Sequence, residues 1–268
     1  MAKAVMTWVL ERDVFVGGGV IHAAALAAGH RLIDWSDRWL TDMSYPRLTG
    51  AVLFHGSLGN ADRIVREVVW MPGAYCQTSR FHCSAWYPAA SQWLLHEQWE
   101  IHSASFFVEN ADAILDRLGA VDWVFVRPDS PLKPFSGRLV RRGQISLSTL
   151  DYGFYYDDAE IPVVIAPMRQ VLREWRYVVV GRKVVAGSGY VAEGRSATSD
   201  DPNGPAWRFA AEVAADLTPP DPVYILDVCE TDKGLRLIEL NPFSGADLYA
   251  CNGHEIVQHV SEVALKSV

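Results

Sequence analysis

The sequence lacks the features that mark membrane-spanning, secreted and nucleic-acid-binding proteins. No apolar run reaches the roughly 18 residues that a membrane-spanning helix needs, and the apolar stretch near the N-terminus is too short for a signal peptide. Lys and Arg number 24 against 32 Asp and Glu, so the net charge is −8 and there is no basic surplus for a nucleic-acid surface. We therefore expect a protein that binds neither a membrane nor nucleic acid.

Cysteine is also scarce, with four residues in a chain of 268 and no Cys-x-x-Cys pair. We interpret the four as reduced thiols of a cytoplasmic protein rather than as a disulfide framework. Cys76, His82 and Cys83 lie close enough in sequence to form part of a metal site, but no second pair of ligands completes it.

The N-terminal part of the chain alternates between strand and helix patterns. We predict strands over about 3–9, 32–35 and 51–55 and helices over about 20–28, 60–70 and 106–118. This alternation predicts a small lobe with a parallel sheet. The three glycines at 17–19 are interpreted as a tight turn, since their spacing differs from Gly-x-Gly-x-x-Gly. Residues 71–102 follow no regular pattern and are expected to form a lid or a packed loop.

From residue 121 onward the pattern changes to paired strands. We predict strands over 121–127, 139–142 and 162–166, a hairpin of 172–180 with 183–191, and helices over about 205–217 and 253–265. Glu174 and Arg176 share one face of the first hairpin strand, because strand side chains alternate with a period of two. A surface ion pair between these two residues is an alternative to a functional role.

The stretch from residue 223 to residue 251 is the most informative. Two apolar runs, Val223–Val228 and Leu235–Leu240, flank a polar turn. This pattern predicts a β-hairpin with a three-residue loop, in which Gly234 takes the positive φ that such loops need. Thr231 would then pair with Leu235.

The predicted register brings polar side chains together inside an apolar hairpin. Asp227 faces Glu239, and Asn241 lies two residues further along the same face. Two facing carboxylates would repel each other and be costly to bury. A Mg²⁺ ion removes both penalties, and Asp, Glu and Asn supply the oxygen ligands that it takes when it also binds phosphates. The alternative is that both carboxylates lie on a solvated face.

The segment LDVCETDKGLRLIELNPFSGADLY resembles the last strand pair of the ATP-grasp superfamily, and most of all a small clade named for an arginine and two lysines, family 3 of that clade. The resemblance covers about residues 121–251. It implies an ATP-grasp fold of mixed α+β and α/β class, with residues 1–120 as a pre-ATP-grasp-like lobe and residues 121–268 as the ATP- and Mg²⁺-binding lobes. It also implies that Asp227, Glu239 and Asn241 hold the metal.

The resemblance implies nucleotide-binding residues in the middle of the chain. Arg127, at the end of a strand, matches the basic residue that contacts the α- and β-phosphates. Lys133, in the following loop, matches the second phosphate-facing cation and is an expected catalytic residue. Val164, Ile165 and Ala166 match the hinge whose backbone reads the adenine edge, although an ordinary core strand is the alternative.

The resemblance also assigns roles to the second hairpin. Glu174 matches the acid that contacts the ribose hydroxyls. Arg176 matches the arginine at the γ-phosphate and the acyl phosphate, and it is the other expected catalytic residue. Ser188 and Tyr190 would line the acceptor pocket. Relatives often carry a basic residue in the strand where this chain has Gly189, so a missing cation is one expected difference.

These features imply an ATP-dependent ligase that joins a carboxylate to an amine, or to a thiol, through an acyl phosphate, with ATP and Mg²⁺ as cofactors and ADP and phosphate as products. The expected partners are an amino acid, peptide or small acid and an amine acceptor, and a homodimer is compatible with this function. The chain has no P-loop and no Gly-x-Ser-x-Gly, and the expected reaction needs no protein nucleophile. Two alternatives stay open: a kinase of ATP-grasp type, and a nucleotide-binding module without turnover.

Overall fold

The structure, a computed structural model, describes residues 4–15, 19–42, 44–151, 158–190 and 197–268. Its contacts divide the chain into two compact units. The first combines Met1–Gln77 with Leu172–Val268, and the second is Thr78–Val171. These units are groups of residues that contact one another, whereas the boundary predicted at residue 120 separates the lobes of the family fold. The units therefore do not test that boundary, which stays a prediction.

The predicted elements occur in the predicted order with small shifts at their ends, except for the helix predicted over 106–118, and further short elements lie between them. The strands are β1 (Thr7–Leu10), β2 (Arg31–Asp34), β3 (Ala51–His55), β4 (Met71–Gly73), β5 (Glu100–Ser103), β6 (Trp123–Pro128), β7 (Arg138–Arg141), β8 (Pro162–Pro167), β9 (Arg173–Val180), β10 (Lys183–Tyr190), β11 (Ala197–Ser199), β12 (Val223–Thr231) and β13 (Gly234–Pro242). The α-helices are α1 (Gly19–Ala27), α2 (Arg38–Thr41), α3 (Leu58–Glu67), α4 (Cys83–Ala90), α5 (Ala104–Glu109), α6 (Ala111–Leu118), α7 (Leu147–Asp151), α8 (Pro205–Asp216) and α9 (Gly253–Leu265). Parts of three predictions lie outside the described residues. They are residue 3 of the first strand, Gly17 and Gly18 of the predicted turn, and Val191 at the end of the predicted hairpin.

The first unit begins with a parallel sheet in the order β2-β1-β3-β4. All five residues of β3 are buried, because helices cover both faces of the sheet. Helices α1 and α9 pack on one face around Trp8 and Leu53, and α3 packs on the other around Val52 and Phe54. The small parallel sheet predicted for the N-terminal part of the chain is confirmed.

The first unit also holds an antiparallel sheet in the order β11-β10-β9-β12-β13. Helix α8 covers one face, where Trp207 meets Tyr177 edge-on at 5.7 Å between ring centroids. On the opposite face Val178 and Ile225 are register partners and belong to the same core as Trp8. Two residues away on the same face, Arg176 on β9 pairs with Asp227 on β12. The face is polar at this point, and the candidate site lies there.

The hairpin of β12 and β13 has the predicted pairing at its functional end but a different turn. Its loop has two residues instead of three, because Thr231 pairs with Gly234 and not with the residue after it. A bulge at Ile238 adds one residue to β13. The two differences cancel, so that Asp227 pairs with Glu239 as predicted.

The second unit is built on an antiparallel sheet in the order β5-β8-β6-β7, packed against α5 and α6 around Leu115 and Ile165. The single helix predicted over 106–118 is wrong. Asn110 leaves helical geometry at φ −116° and ψ 19° and separates α5 from α6, and Gly119 ends α6 at φ +65°.

The segment 71–102 is more regular than the sequence suggested. It contains β4, α4 and the start of β5, and Trp86 and Tyr87 of α4 are buried, so most of it is packed structure. Within the part of the chain that the structure describes, no helix combines the length and the apolar character needed to cross a membrane.

Candidate active site

One face of the antiparallel sheet carries a row of polar side chains across four strands. Ser188 on β10 pairs with Arg176 on β9, Arg176 pairs with Asp227 on β12, and Asp227 pairs with Glu239 on β13. Register partners point to the same face of a sheet, and Asn241 joins them two residues along β13. The structure thus brings the predicted metal ligands together with Arg176.

The centre of this row is a buried ion pair. Arg176 donates from Nε to Asp227 Oδ1 at 2.9 Å and from Nη2 to Asp227 Oδ2 at 2.7 Å. Their side chains are only 11% and 4% exposed, and Asn241 Nδ2 adds a hydrogen bond to Asp227 Oδ2 at 3.0 Å. Burial alone would lower the pKa of Arg176, but the charge and hydrogen bonds of Asp227 raise it overall, so the guanidinium stays charged.

Two residues that the sequence did not single out hold the other side of Arg176. Its Nη1 donates to the backbone oxygen of Asp247 at 3.0 Å, and its guanidinium lies 5.0 Å from the ring centroid of Tyr249. Tyr249 has a φ of +48° and its ring stacks on Tyr190 at 5.0 Å. A guanidinium has five N–H donors, of which the described residues use three. Two donors therefore remain for an anionic ligand.

Glu174 occupies the same face and is half-buried. It accepts a hydrogen bond from the Tyr190 hydroxyl. It makes no ion pair with Arg176, whose guanidinium pairs with Asp227 instead. The alternative of a simple Glu174–Arg176 surface pair is therefore wrong. Burial raises the pKa of Glu174, and the Tyr190 hydrogen bond offsets part of that rise.

Asp227, Glu239 and Asn241 have the oxygen donors that Mg²⁺ requires, and they share one face of the hairpin. They fit the ion in chemistry, but Arg176 and the Asn241 amide already bind the Asp227 carboxylate. In the described parts of the chain no three His, Cys, Asp or Glu side chains are grouped to hold a metal by themselves. A cation at this face would therefore need further oxygens from a ligand, as Mg²⁺ bound to nucleotide phosphates has.

The second unit contains the two cations predicted to contact phosphate. Arg127 lies near the end of β6 and is 7% exposed, and Lys133 follows in the loop at φ +49°. Asp129 anchors the chain between them, accepting hydrogen bonds from Ser84 N at 2.7 Å and Ser84 Oγ at 2.9 Å and contacting His82 Nδ1 at 2.8 Å. His82 thus positions this loop rather than joining a cysteine metal site, and the phosphate roles of both cations stay predictions.

Val164, Ile165 and Ala166 are fully buried on β8, which lies between β5 and β6. Val164 and Ile165 pair with residues of both neighbouring strands, whereas the ladder to β5 ends at Ile165. Backbone groups inside two ladders are already hydrogen-bonded. Of the three predicted adenine-reading residues, Ala166 is therefore the one best placed for that role, which stays a prediction.

Ser188 and Gly189 of β10 have clear structural surroundings, whereas the acceptor-pocket role predicted for Ser188 and Tyr190 stays a prediction. Ser188 is fully buried, and its hydroxyl accepts a hydrogen bond from Ala250 N at 3.2 Å, so it holds the loop that carries Tyr249. A Cβ built at Gly189 would lie 3.3 Å from Trp175, on the face opposite to Arg176. The lack of a side chain at Gly189 therefore removes no cation from the polar face.

Three solved structures resemble the whole chain at low sequence identity, and each likeness concerns the fold. The D-cycloserine synthetase DcsG has a TM-score of 0.65 at 13% identity, with 97% of this chain and 100% of that chain covered. The D-alanine-D-alanine ligase from Coxiella burnetii has a TM-score of 0.64 at 14% identity, with coverage of 98% and 96%. The ATP-grasp ligase PsnB, complexed with a precursor variant, Mg and ADP, has a TM-score of 0.60 at 12% identity, with coverage of 97% and 99%.

No curated protein matches the chain by sequence. The model of one protein family matches residues 62–260, most of the chain, and begins about 60 residues before the segment that carries the sequence resemblance. That family is described as an ATP-grasp domain, family 3 of the clade named for an arginine and two lysines. The chain therefore belongs to family 3 of this ATP-grasp clade.

Proposed function

We propose that this protein is an ATP-dependent ligase that joins a carboxylate to an amine through an acyl phosphate, with ATP and Mg²⁺ as cofactors. The observation that carries the proposal is the Arg176–Asp227 pair on the polar face of the sheet. The described residues leave two N–H donors of Arg176 for an anion, beside the oxygens of Asp227, Glu239 and Asn241, which suit Mg²⁺. ATP bound with Mg²⁺ supplies that anion and that cation together.

The proposed reaction has two balanced steps. A substrate carboxylate oxygen bonds to the γ-phosphorus of ATP, and ADP leaves with the electron pair of the broken P–O bond. The amine nitrogen then bonds to the acyl carbon, phosphate leaves with the electron pair of the broken C–O bond, and the amine gives up a proton. Charge moves between phosphoryl oxygens in both steps, and a buried, charged Arg176 would stabilise it.

The metal and Arg176 would both stabilise the negative charge on the phosphate oxygens. Asp227, Glu239 and Asn241 would hold Mg²⁺, which offsets phosphate charge when bound. Glu174, with its carboxylate oriented by Tyr190, would accept hydrogen bonds from the ribose hydroxyls.

The remaining nucleotide contacts are proposed from the family resemblance. Arg127 and Lys133 would bind phosphate oxygens, and Arg127, with its planar fork, suits bidentate contacts. Val164, Ile165 and Ala166 would contact the adenine. We also propose a reducing, cytoplasmic location, because all four cysteines are buried and free.

The test has two stages. ATP with Mg²⁺ at millimolar concentration should raise the melting temperature, because only the folded chain offers the site, whereas AMP and Mg²⁺ should raise it less. A screen of mixed carboxylates and amines, read by product mass, should then give ADP, phosphate and a condensed product only when both substrates are present. A phosphorylated small molecule formed without any amine would indicate the kinase instead. No melting shift with ATP and no product would overturn the proposal.

A further inference from the structure

A small pocket in the first unit lies next to the Arg176 site but is not part of it. Its lining combines apolar side chains with four polar or charged ones, and the residues are Leu10, Glu11, Arg12, Phe15, Val20, Ile21, His55, Asp247, Leu248 and Tyr249. The free volume is about 20 Å³, and a polar cavity of roughly 10–15 Å³ already accommodates a water molecule. The pocket therefore has room for one group about the size of a water molecule, such as an ammonium group, and not for a bulky group.

His55 gives this pocket an unused hydrogen-bond acceptor. The residue is 7% exposed, and its Nε2 is buried without a hydrogen-bond partner among the described residues. The backbone of Ala246 raises the pKa of His55, as a carbonyl that accepts a hydrogen from the ring does, and because Nε2 has no partner among the described residues this favours the tautomer with the hydrogen on the other ring nitrogen. Nε2 of the neutral ring therefore presents a lone pair, which only a hydrogen-bond donor can satisfy. Buried polar atoms of this kind are rare without a ligand or water.

The ring of His55 is fixed in place by aromatic packing. The rings of Phe15 and Phe243 pack against it at tilted angles of 55° and 56°, each with its centroid 5.2 Å away. Burial lowers the pKa of His55 to about 4, only partly offset by the backbone hydrogen bond of Ala246. At neutral pH the ring is therefore an uncharged acceptor.

The charges around the pocket favour a cationic donor. The Arg12 guanidinium is paired with Asp34, so it adds little net positive charge. The Glu11 carboxylate accepts hydrogen bonds from Ser57 N and Oγ, both at 2.8 Å. The carboxylate of Asp247 accepts a hydrogen bond from Tyr249 N at 2.9 Å on Oδ1, and its Oδ2 receives none from the described residues.

We propose that this pocket binds the ammonium or amine group of the acceptor substrate, with His55 Nε2 and the Asp247 carboxylate as its two hydrogen-bond acceptors. The assignment rests on the proposed function, because it names the second substrate of that ligase. Its position fits this role. Asp247 binds Arg176 through its backbone oxygen, and Tyr249 packs against the same guanidinium, so the pocket and the phosphate-binding arginine share two residues.

The test uses full-length protein and small primary amines that carry no carboxylate: methylammonium, ethanolamine and a set of amino-acid amides, each with its N-acetyl counterpart. Binding is measured by calorimetry or by ligand-observed NMR at millimolar concentrations. We expect at least one amine to bind wild-type protein and its N-acetyl counterpart to fail.

His55→Phe keeps an aromatic ring next to Phe15 and Phe243 but removes the acceptor, and it should weaken binding about tenfold or more, since hydrogen bonds to charged groups are strong. Asp247→Asn, which keeps the shape and Oδ1, should weaken ammonium binding as well and serves if His55→Phe does not fold.

The matched control is Tyr224→Phe. It removes another buried, unpartnered polar atom from the same unit, on the sheet face opposite to Arg176, and should leave amine binding unchanged. The melting shift caused by ATP is recorded for every variant. If ATP shifts all of them but amine binding survives His55→Phe and Asp247→Asn, or no amine binds the wild type, the pocket assignment is overturned and the ligase proposal stands. If amines bind through His55 but ATP shifts nothing, the pocket assignment stands and the nucleotide proposal fails.

Discussion

Arg176 and Asp227 hold each other through two parallel hydrogen bonds of 2.9 and 2.7 Å between neighbouring strands. The first residue is proposed to meet the transferring phosphate, and the second is proposed to bind the metal. A metal bound by Asp227 would therefore compete with the guanidinium for the same two oxygens. The pair neutralises both charges in a site where the two side chains are only 11% and 4% exposed.

The first prediction separates the two roles of Arg176. Arg176→Met should lower the free energy of unfolding by about 3–5 kcal/mol, because it leaves Asp227 buried and unpaired. Arg176→Lys should lower it less, since one charge contact survives, yet turnover should still fall by about 100-fold because lysine lacks the planar fork. Denaturant unfolding and steady-state turnover on the same samples measure both effects.

The double variant Arg176→Met with Asp227→Asn supplies the control for that prediction. It removes both charges, so it should recover part of the lost stability without any recovery of turnover. Turnover that follows stability across all three variants would make Arg176 a structural residue only.

The second prediction concerns the two facing carboxylates. Glu239→Gln keeps the shape of the side chain and should abolish turnover, or shift its dependence to higher Mg²⁺ concentration, with little loss of stability. Asp227→Asn should also abolish turnover, but it should cost stability too, since it removes the charge that Arg176 pairs with. Turnover is measured against Mg²⁺ concentration for both variants and wild type. Two variants with wild-type turnover at the same Mg²⁺ dependence would place the metal elsewhere.

The sequence was sufficient for the shared face of these residues but not for their contacts. Alternation along a strand and a recognisable turn were enough to set Asp227 opposite Glu239, and even the error in loop length did no harm, because the bulge at Ile238 compensated for it. A bulge of this kind leaves no mark in the sequence, since Ile238 is as hydrophobic as Leu237 before it.

The contacts of Asp247 and Tyr249 with Arg176 could not be predicted from the sequence. Asp247 and Tyr249 lie in an irregular loop about 70 residues away along the chain, and the positive φ of Tyr249 is rare for a large side chain. The spacing of hydrophobic residues predicts strands and helices, but it does not predict a contact made by an irregular loop. The same holds for His55, whose unused nitrogen becomes visible only once the packing around it is known.

The third prediction follows from the raised pKa of Glu174. Burial favours its neutral form, so the stability it contributes is complete below the unfolded value of 4.5 and is lost as the pH rises through the higher folded pKa. Glu174→Gln cannot ionise and should lose nothing over this range. The melting temperature of the variant relative to wild type should therefore rise between about pH 4 and pH 7. A constant difference would show that Glu174 is solvated.

The fourth prediction uses the opposite shift of His55, whose pKa burial lowers from 6.5 to about 4. A depressed histidine pKa means that the unfolded chain binds the proton more tightly than the folded one. The stability that depends on the neutral ring is thus present in full above about pH 6.5 and is lost as the pH falls toward 4. The shift corresponds to about 3 kcal/mol.

His55→Phe removes this proton-binding site and keeps the ring that packs between Phe15 and Phe243. The free energy of unfolding of the variant, minus that of wild type, should therefore increase by about 3 kcal/mol between about pH 7 and pH 4, whatever its sign at neutral pH. His96→Phe is a matched control, because burial lowers the pKa of His96 to about 4 as well. It should show a similar acid dependence without any effect on amine binding. A flat difference for His55→Phe would mean that water or a proton already reaches Nε2, and the pocket would then have no unsatisfied acceptor to offer an amine.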